Sequence, residues 1–133
     1  MAKRNNHRRS TMLSGAVMKV GRALWTMNAV PKKAVYGESL RSFSGTEFRR
    51  WDPSRSKLGA AIMRTRRDPS WLLPEVGNTV LYLVAVHGTS IIHLHDHLCG
   101  PENELRGRLV AVDLALLCLR HSKHLANSRP GLV

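Results

Sequence analysis

The chain has 133 residues, 43% of them hydrophobic, with 21 Lys and Arg against 9 Asp and Glu for a net charge of +12. This length suits one ordinary domain, and the apolar content excludes a chain disordered by composition. No apolar run approaches the roughly 20 residues of a membrane span, and two cysteines, Cys99 and Cys118, argue against a disulfide framework and fit a reducing compartment.

The charge is unevenly spread. Lys3, Arg4, Arg8, Arg9, Lys19, Arg22, Lys32 and Lys33 all precede the first acid, Glu38, and a second basic group runs from Arg49 to Arg67. A basic first half points to a phosphate-rich partner, RNA or DNA ahead of an acidic membrane surface. The plain alternative is a solvated basic surface.

Residues 1–21 read as a basic tail, expected to be disordered, in which "AVMKVGRALW" could begin a short amphipathic turn or two. An acid-poor, Arg-rich start also has the look of a transit peptide, but Gly21 interrupts its helix and no cleavage pattern follows. From Ala34 to Pro53, apolar residues at Tyr36, Leu40, Phe43 and Phe48 around "SFSGTE" predict short antiparallel strands joined by a turn. Pro53 ends the hairpin. Asp52 or Ser54 then caps a helix, with Leu58, Ala61, Ile62 and Thr65 at helical spacing.

"RRDPSWLLPEVGN" reads as a loop, and "TVLYLVAV" as a buried parallel strand. A helix starts near Thr89 with "TSIIHLHDHLC", and "RLVAVDL" is a second buried strand ending at Asp113. A further helix ("ALLCLRHSKHLANS") and the entry to a third strand ("RPGLV") close the chain. The β-α-β-α order makes the fold class α/β with a parallel sheet.

Strand, glycine turn, helix, and a strand ending in an acid form a nucleotide-site arrangement. A helix start offers free N–H groups and partial positive charge, and the acid can accept bonds from two ribose hydroxyls. Gly88, Thr89, Ser90 and Asp113 hold those places. The G-x-G-x-x-G fingerprint is absent, which favours a mononucleoside ligand such as S-adenosylmethionine over a dinucleotide. A plain βαβ unit with an incidental acid is the alternative. His93 and His97 share a helix face at i, i+4, but a metal site needs a third ligand, which neither His87, His95 nor Cys99 supplies. Solvent-facing or core-edge histidines are the better reading, and no metal is expected.

The residues "AVYGES…EFRRWDPSRSKLGAAI…VLYL…GTS" resemble fibrillarin, the S-adenosylmethionine-dependent RNA 2′-O-methyltransferase family, above all its archaeal form. The resemblance starts near Arg22 and leaves the tail out. It implies a small N-terminal β-strand subdomain at residues 22–50, matched from Ala34 to Arg50. Residues 51–133 would be the first half of a Rossmann-like methyltransferase domain. Lys57 matches the family's first catalytic lysine, one of a Lys-Asp-Lys-Glu set around the target ribose. Such a lysine could orient the 2′-hydroxyl or lower its pKa. Gly88, Thr89 and Ser90 match the loop beside the methionine part of S-adenosylmethionine. Asp113 and Leu114 match the pair that holds the ribose and flanks adenine. His93 matches a histidine often carried in this helix.

The resemblance further implies ribosomal and transfer RNA as substrates, guide RNA and a box C/D ribonucleoprotein scaffold protein as partners, and no membrane. The location would be cytoplasmic in a prokaryotic cell and nucleolar in a eukaryotic one. Two departures count against activity. Val84 stands where the family has a glycine that lets the backbone approach the cofactor. The later cofactor "DA" pair and the catalytic aspartate, lysine and glutamate would fall past Val133. A truncated copy, inactive or impaired alone, is the expectation. A non-enzymatic RNA- or scaffold-binding remnant and a histidine-based metal binder are the rivals. Two parallel strands with two helices also leave apolar faces uncovered, which predicts marginal stability or association with another chain.

Overall fold

A computed structural model describes residues 10–14, 16–65, 68–83, 89–101 and 104–112. Its first part is a five-stranded antiparallel sheet in the order β1-β2-β3-β5-β4. The strands are β1 (Ser10–Met12), β2 (Val17–Val20), β3 (Ala23–Met27), β4 (Leu40–Phe43) and β5 (Thr46–Trp51). The predicted hairpin is β4–β5, closed by Ser44 and Gly45, both at positive φ. Two left-handed residues match the right-handed twist of the flanking strands, so the loop needs only two.

The expected tail is in part a strand pair. β1 and β2 pair with each other, and β2 pairs with β3 through Val17↔Thr26 and Val20↔Ala23. Val17 joins Leu24, Trp51, Ile62 and Leu73 on the inner face, and Met18 packs with Trp25 and Phe48 on the outer one. The alternation is four residues long, too short to stand out beside the surrounding basic residues. It becomes a strand because β3 offers both a ladder and two apolar faces.

After β5 comes a 3₁₀ turn, Pro53–Arg55, capped by Asp52, and then α1 (Lys57–Arg64). The expected caps are therefore divided: Asp52 caps the short turn, while Ser56, not Ser54, caps α1 by accepting from the Gly59 N–H. The predicted loop before the next strand holds a second 3₁₀ turn, Pro69–Leu72. β6 (Thr79–Leu83) and β7 (Arg108–Val112) are parallel neighbours, with α2 (Thr89–Cys99) between them in the chain. The chain is thus α/β: an antiparallel sheet, then helices and parallel strands.

β6 is not buried on both faces as expected. Val80 and Tyr82 pack on α2, while Leu81 and Leu83 are 62% and 64% exposed. A central parallel strand needs covering layers on both sides, and among the described residues only α2 supplies one. The second helix and third strand predicted beyond Val112 lie outside the described residues, and so does the end of "TVLYLVAV" from Val84.

Candidate functional site

Two helix starts meet at one point. Asp52 accepts bonds from the Ser54 N–H at 2.9 Å and the Ser54 hydroxyl at 2.8 Å, which turns the chain sharply out of β5. Ser56 follows as the α1 cap, and its Oγ lies 2.8 Å from Oγ of Ser90 in the first turn of α2. Lys57, the first residue of α1, is exposed beside this contact. Thr89 is nearly buried and Ser90 half-buried. Three of the sequence-predicted residues, Lys57, Thr89 and Ser90, are therefore brought together. Gly88, Asp113 and Leu114 lie outside the described residues, as does Val84.

The strand ends suit a ligand here. Leu83 pairs with Val112, so β6 and β7 run side by side to the last of their described residues. Ligands in open α/β sheets bind outside the carboxyl ends of such strands. The first turn of α2 carries two hydroxyl residues and no acid. That donor set, at a helix start with its partial positive charge, fits the carboxylate end of S-adenosylmethionine.

The described histidines are neither solvent-facing nor at the core edge. His93, His95 and His97 are all buried. His93 stacks on Trp51 at 4.8 Å with an interplanar angle of 6°. Its Nδ1 is 2.8 Å from Thr26 Oγ1, and its Nε2 is 2.5 Å from the Tyr36 hydroxyl. His97 Nε2 lies 2.5 Å from the Pro74 carbonyl oxygen, and its Nδ1 lies 2.8 Å from Ser14 Oγ. An Nε2–H donating to Pro74 and a bare Nδ1 accepting from Ser14 satisfy the neutral ring. Burial holds the His97 pKa below its usual range, against the opposing Pro74 bond. Among the described residues no group of three or more His, Cys, Asp or Glu gathers as metal ligands.

Alongside runs a charged network that sequence reasoning missed. Arg49 is fully buried. It donates from Nε to Asp96 at 2.9 Å, pairs with Glu38, and reaches Asn28 Oδ1 at 2.5 Å and the Lys33 carbonyl at 3.2 Å. Asp96 also accepts from Thr26 Oγ1 at 2.9 Å and the Ala29 N–H at 3.0 Å. Burial alone would raise the Glu38 pKa, but N–H bonds from Tyr36 and Val35 and the Arg49 charge together lower it. Tyr36 is pushed up to about 12, chiefly by burial and then by the Glu38 charge. The available signal was Glu38 itself, an isolated acid after 37 residues without one.

Comparisons with known proteins identify the family. The fibrillarin family model matches residues 5–133, so the match takes in most of the segment expected to be a tail. The fibrillarin-like rRNA/tRNA 2′-O-methyltransferase of Methanosarcina acetivorans is 37% identical over 116 residues, covering 87% of this chain and 47% of that relative. Aeropyrum pernix fibrillarin, solved with natively bound S-adenosyl-L-methionine, superimposes with a TM-score of 0.71 at 32% identity, covering 86% of this chain and 48% of that one. A fibrillarin/Nop5p complex gives a TM-score of 0.68 at 28% identity, covering 92% and 51%. The chain spans about half the length of the curated relatives it matches. With a family match over nearly all its residues and a TM-score of 0.71 to a solved fibrillarin, this chain belongs to the fibrillarin family.

Proposed function

We propose that the chain supplies the N-terminal part of an S-adenosylmethionine-dependent RNA ribose 2′-O-methyltransferase acting on ribosomal or transfer RNA. Its partners would be guide RNA and a box C/D scaffold protein of the kind seen in the fibrillarin/Nop5p complex. The carrying observation is the 2.8 Å contact between Ser56 and Ser90, which sets the start of the lysine helix against the start of the cofactor helix. When bound, S-adenosylmethionine supplies the methyl group for the ribose oxygen. Thr89 and Ser90 bind its carboxylate end, and Gly88, Asp113 and Leu114 complete the cofactor site by resemblance. The Lys57 ammonium has three donors and no acceptor, so it is suited to hold a 2′-hydroxyl oxygen and stabilise the charge that grows as the proton leaves. Holding both groups on helix starts makes alignment the main contribution.

The 133-residue polypeptide is expected to bind cofactor only weakly, because Val84 replaces the glycine that lets the backbone approach it, and to transfer little or no methyl group alone. Calorimetric titration with S-adenosylmethionine, and a labelled-methyl assay with guide RNA and scaffold protein, test the two halves separately. Thr89→Val removes a donor to a charged group and should weaken cofactor binding roughly tenfold. Robust methyl transfer would refute the expected inactivity. Absent cofactor binding that Val84→Gly does not restore would refute the methyltransferase reading. With salt-dependent RNA binding retained, it would favour the non-enzymatic RNA-binding alternative, which the net charge of +12 supports.

A further inference from the structure

Next to the Lys57 helix start is a cavity of about 350 Å³, lined among others by Tyr36, Glu38, Ser39, Arg50, Asp52 and Arg55. Its two carboxylates are already committed. Glu38 accepts from the N–H groups of Val35 and Tyr36 and pairs with Arg49. Asp52 is held by the N–H and hydroxyl of Ser54.

The two arginines are not committed to the same degree. Arg55 lays its guanidinium 4.8 Å over the Tyr36 ring and gives one donor to the Tyr36 carbonyl at 3.0 Å. Arg50 holds its guanidinium 5.6 Å over the Trp25 ring, and its buried Nε finds no hydrogen-bond partner among the described residues. Each guanidinium carries five N–H donors. Both are braced on an aromatic face, which fixes the fork without using its edge. The lining itself holds two guanidinium charges (Arg50, Arg55) and two carboxylates (Glu38, Asp52), and Glu38 is also paired with the buried Arg49.

We infer that this cavity holds a backbone phosphate of the RNA strand, beside the nucleotide presented to Lys57. A phosphate carries one negative charge per nucleotide and accepts the paired bonds that a guanidinium fork offers. The volume exceeds one phosphate and admits part of the attached ribose. Arg55 precedes Lys57 by two residues, so the cavity lies on the segment that leads into the Lys57 helix. The inference rests on the methyltransferase reading, in which RNA lies at Lys57. It adds a contact that carries no sequence information and sets the strand's register.

The test uses the 133-residue chain and a fluorescein-labelled ten-nucleotide oligouridylate, titrated by anisotropy across a salt series. The charge-matched pairs are Arg50→Gln/Arg55→Gln, and Arg22→Gln/Arg108→Gln on exposed residues elsewhere. The cavity pair should weaken binding by about tenfold at low salt and lower the salt slope by about 0.7, one phosphate contact. The exposed pair should do less on both counts. Arg50→Lys/Arg55→Lys keeps the charge but not the fork, and should recover only part of the affinity. Equal losses in the two glutamine pairs, or full recovery with lysine, would overturn the inference. So would unchanged RNA binding with loss of scaffold-protein binding, which would assign the cavity to a protein partner. Calorimetry with S-adenosylmethionine on the same variants separates the two readings. Intact cofactor binding with no arginine effect sinks the phosphate site alone, whereas no cofactor binding in either the unaltered chain or its Val84→Gly variant sinks the methyltransferase reading.

Discussion

Arg49→Met is the most informative single change to the fold. It leaves the apolar stem in place and removes the guanidinium. Glu38 and Asp96 then lose their common counter-charge inside the protein, and Asn28 and the Lys33 carbonyl lose a donor. Breaking a buried pair by removing one partner costs about 3–5 kcal/mol. Here the lower end applies, about 3 kcal/mol, because both carboxylates keep backbone donors: Val35 and Tyr36 for Glu38, Ala29 for Asp96. Folded domains hold only about 5–15 kcal/mol in total, so the change removes a large share. With a urea slope of about 1–3 kcal/mol/M, the unfolding midpoint should fall by about 1–3 M. Tryptophan fluorescence reports it, since Trp51 stacks on His93 within the network. Adding Asp96→Asn to Arg49→Met removes one stranded charge and should return about 1–2 kcal/mol. A loss below about 1 kcal/mol for Arg49→Met, or strict additivity of the two changes, would refute the view that the network couples the sheet to α2.

Gly59→Ala sets two effects against each other. Alanine gains about 1 kcal/mol of helix propensity, but its Cβ would sit 2.7 Å from Trp51 Nε1 and 3.0 Å from Cδ1, against a fully buried ring. Overpacking of about 1–3 kcal/mol should win, lowering the melting temperature, and a raised one would contradict the packing. Acid should destabilise the chain in two stages. His97 and Glu38 both have folded-state pKa values below their ordinary ones. The unfolded chain therefore binds the extra proton, and stability falls as pH falls. The His97 contribution is complete above about 6.5 and is lost below it, while that of Glu38 is complete above about 4.5 and is lost as pH falls through its depressed value. His97→Gln should flatten the upper limb of melting temperature against pH and leave the lower one. An unaltered upper limb would count against it.

Local chemistry made part of the fold readable. The β4–β5 hairpin follows from Ser44-Gly45 between alternating residues, and α1 from helical spacing behind a turn. The start of α2 at Thr89 follows from the turn residues before it. Features set by distant partners were not readable. β2 is a strand because β3 pairs with it, and Arg49 is an interior residue because Glu38 and Asp96 meet it from 11 and 47 positions away. Continuous apolar character in β6 suggested burial on both faces, whereas alternate residues are exposed. The proposed site residues Lys57, Thr89 and Ser90 come from the resemblance. Their convergence depends on a Ser56–Ser90 contact between positions 34 apart, which no local pattern encodes.

The histidine-rich helix has a structural purpose of its own. Ile91, Ile92, Leu94 and Leu98 belong to the apolar cluster shared with Leu109 and the inner residues of β6. On the other side, His93, Asp96 and His97, spaced i, i+3, i+4, take up bonds from the N-terminal part of the chain. Apolar contacts are tolerant of small slides along a helix, but directional bonds to Thr26, Tyr36, Ala29 and Ser14 are not. Ser90 is fixed at the start of α2, His93 and Asp96 in its middle, and His97 in its last turn. The helix that presents Thr89 and Ser90 is thereby registered against the strands leading into Lys57. The proposed site, whose chemistry would be alignment, needs this kind of rigid support, and buried, hydrogen-bonded histidines supply it where leucines would leave the register free.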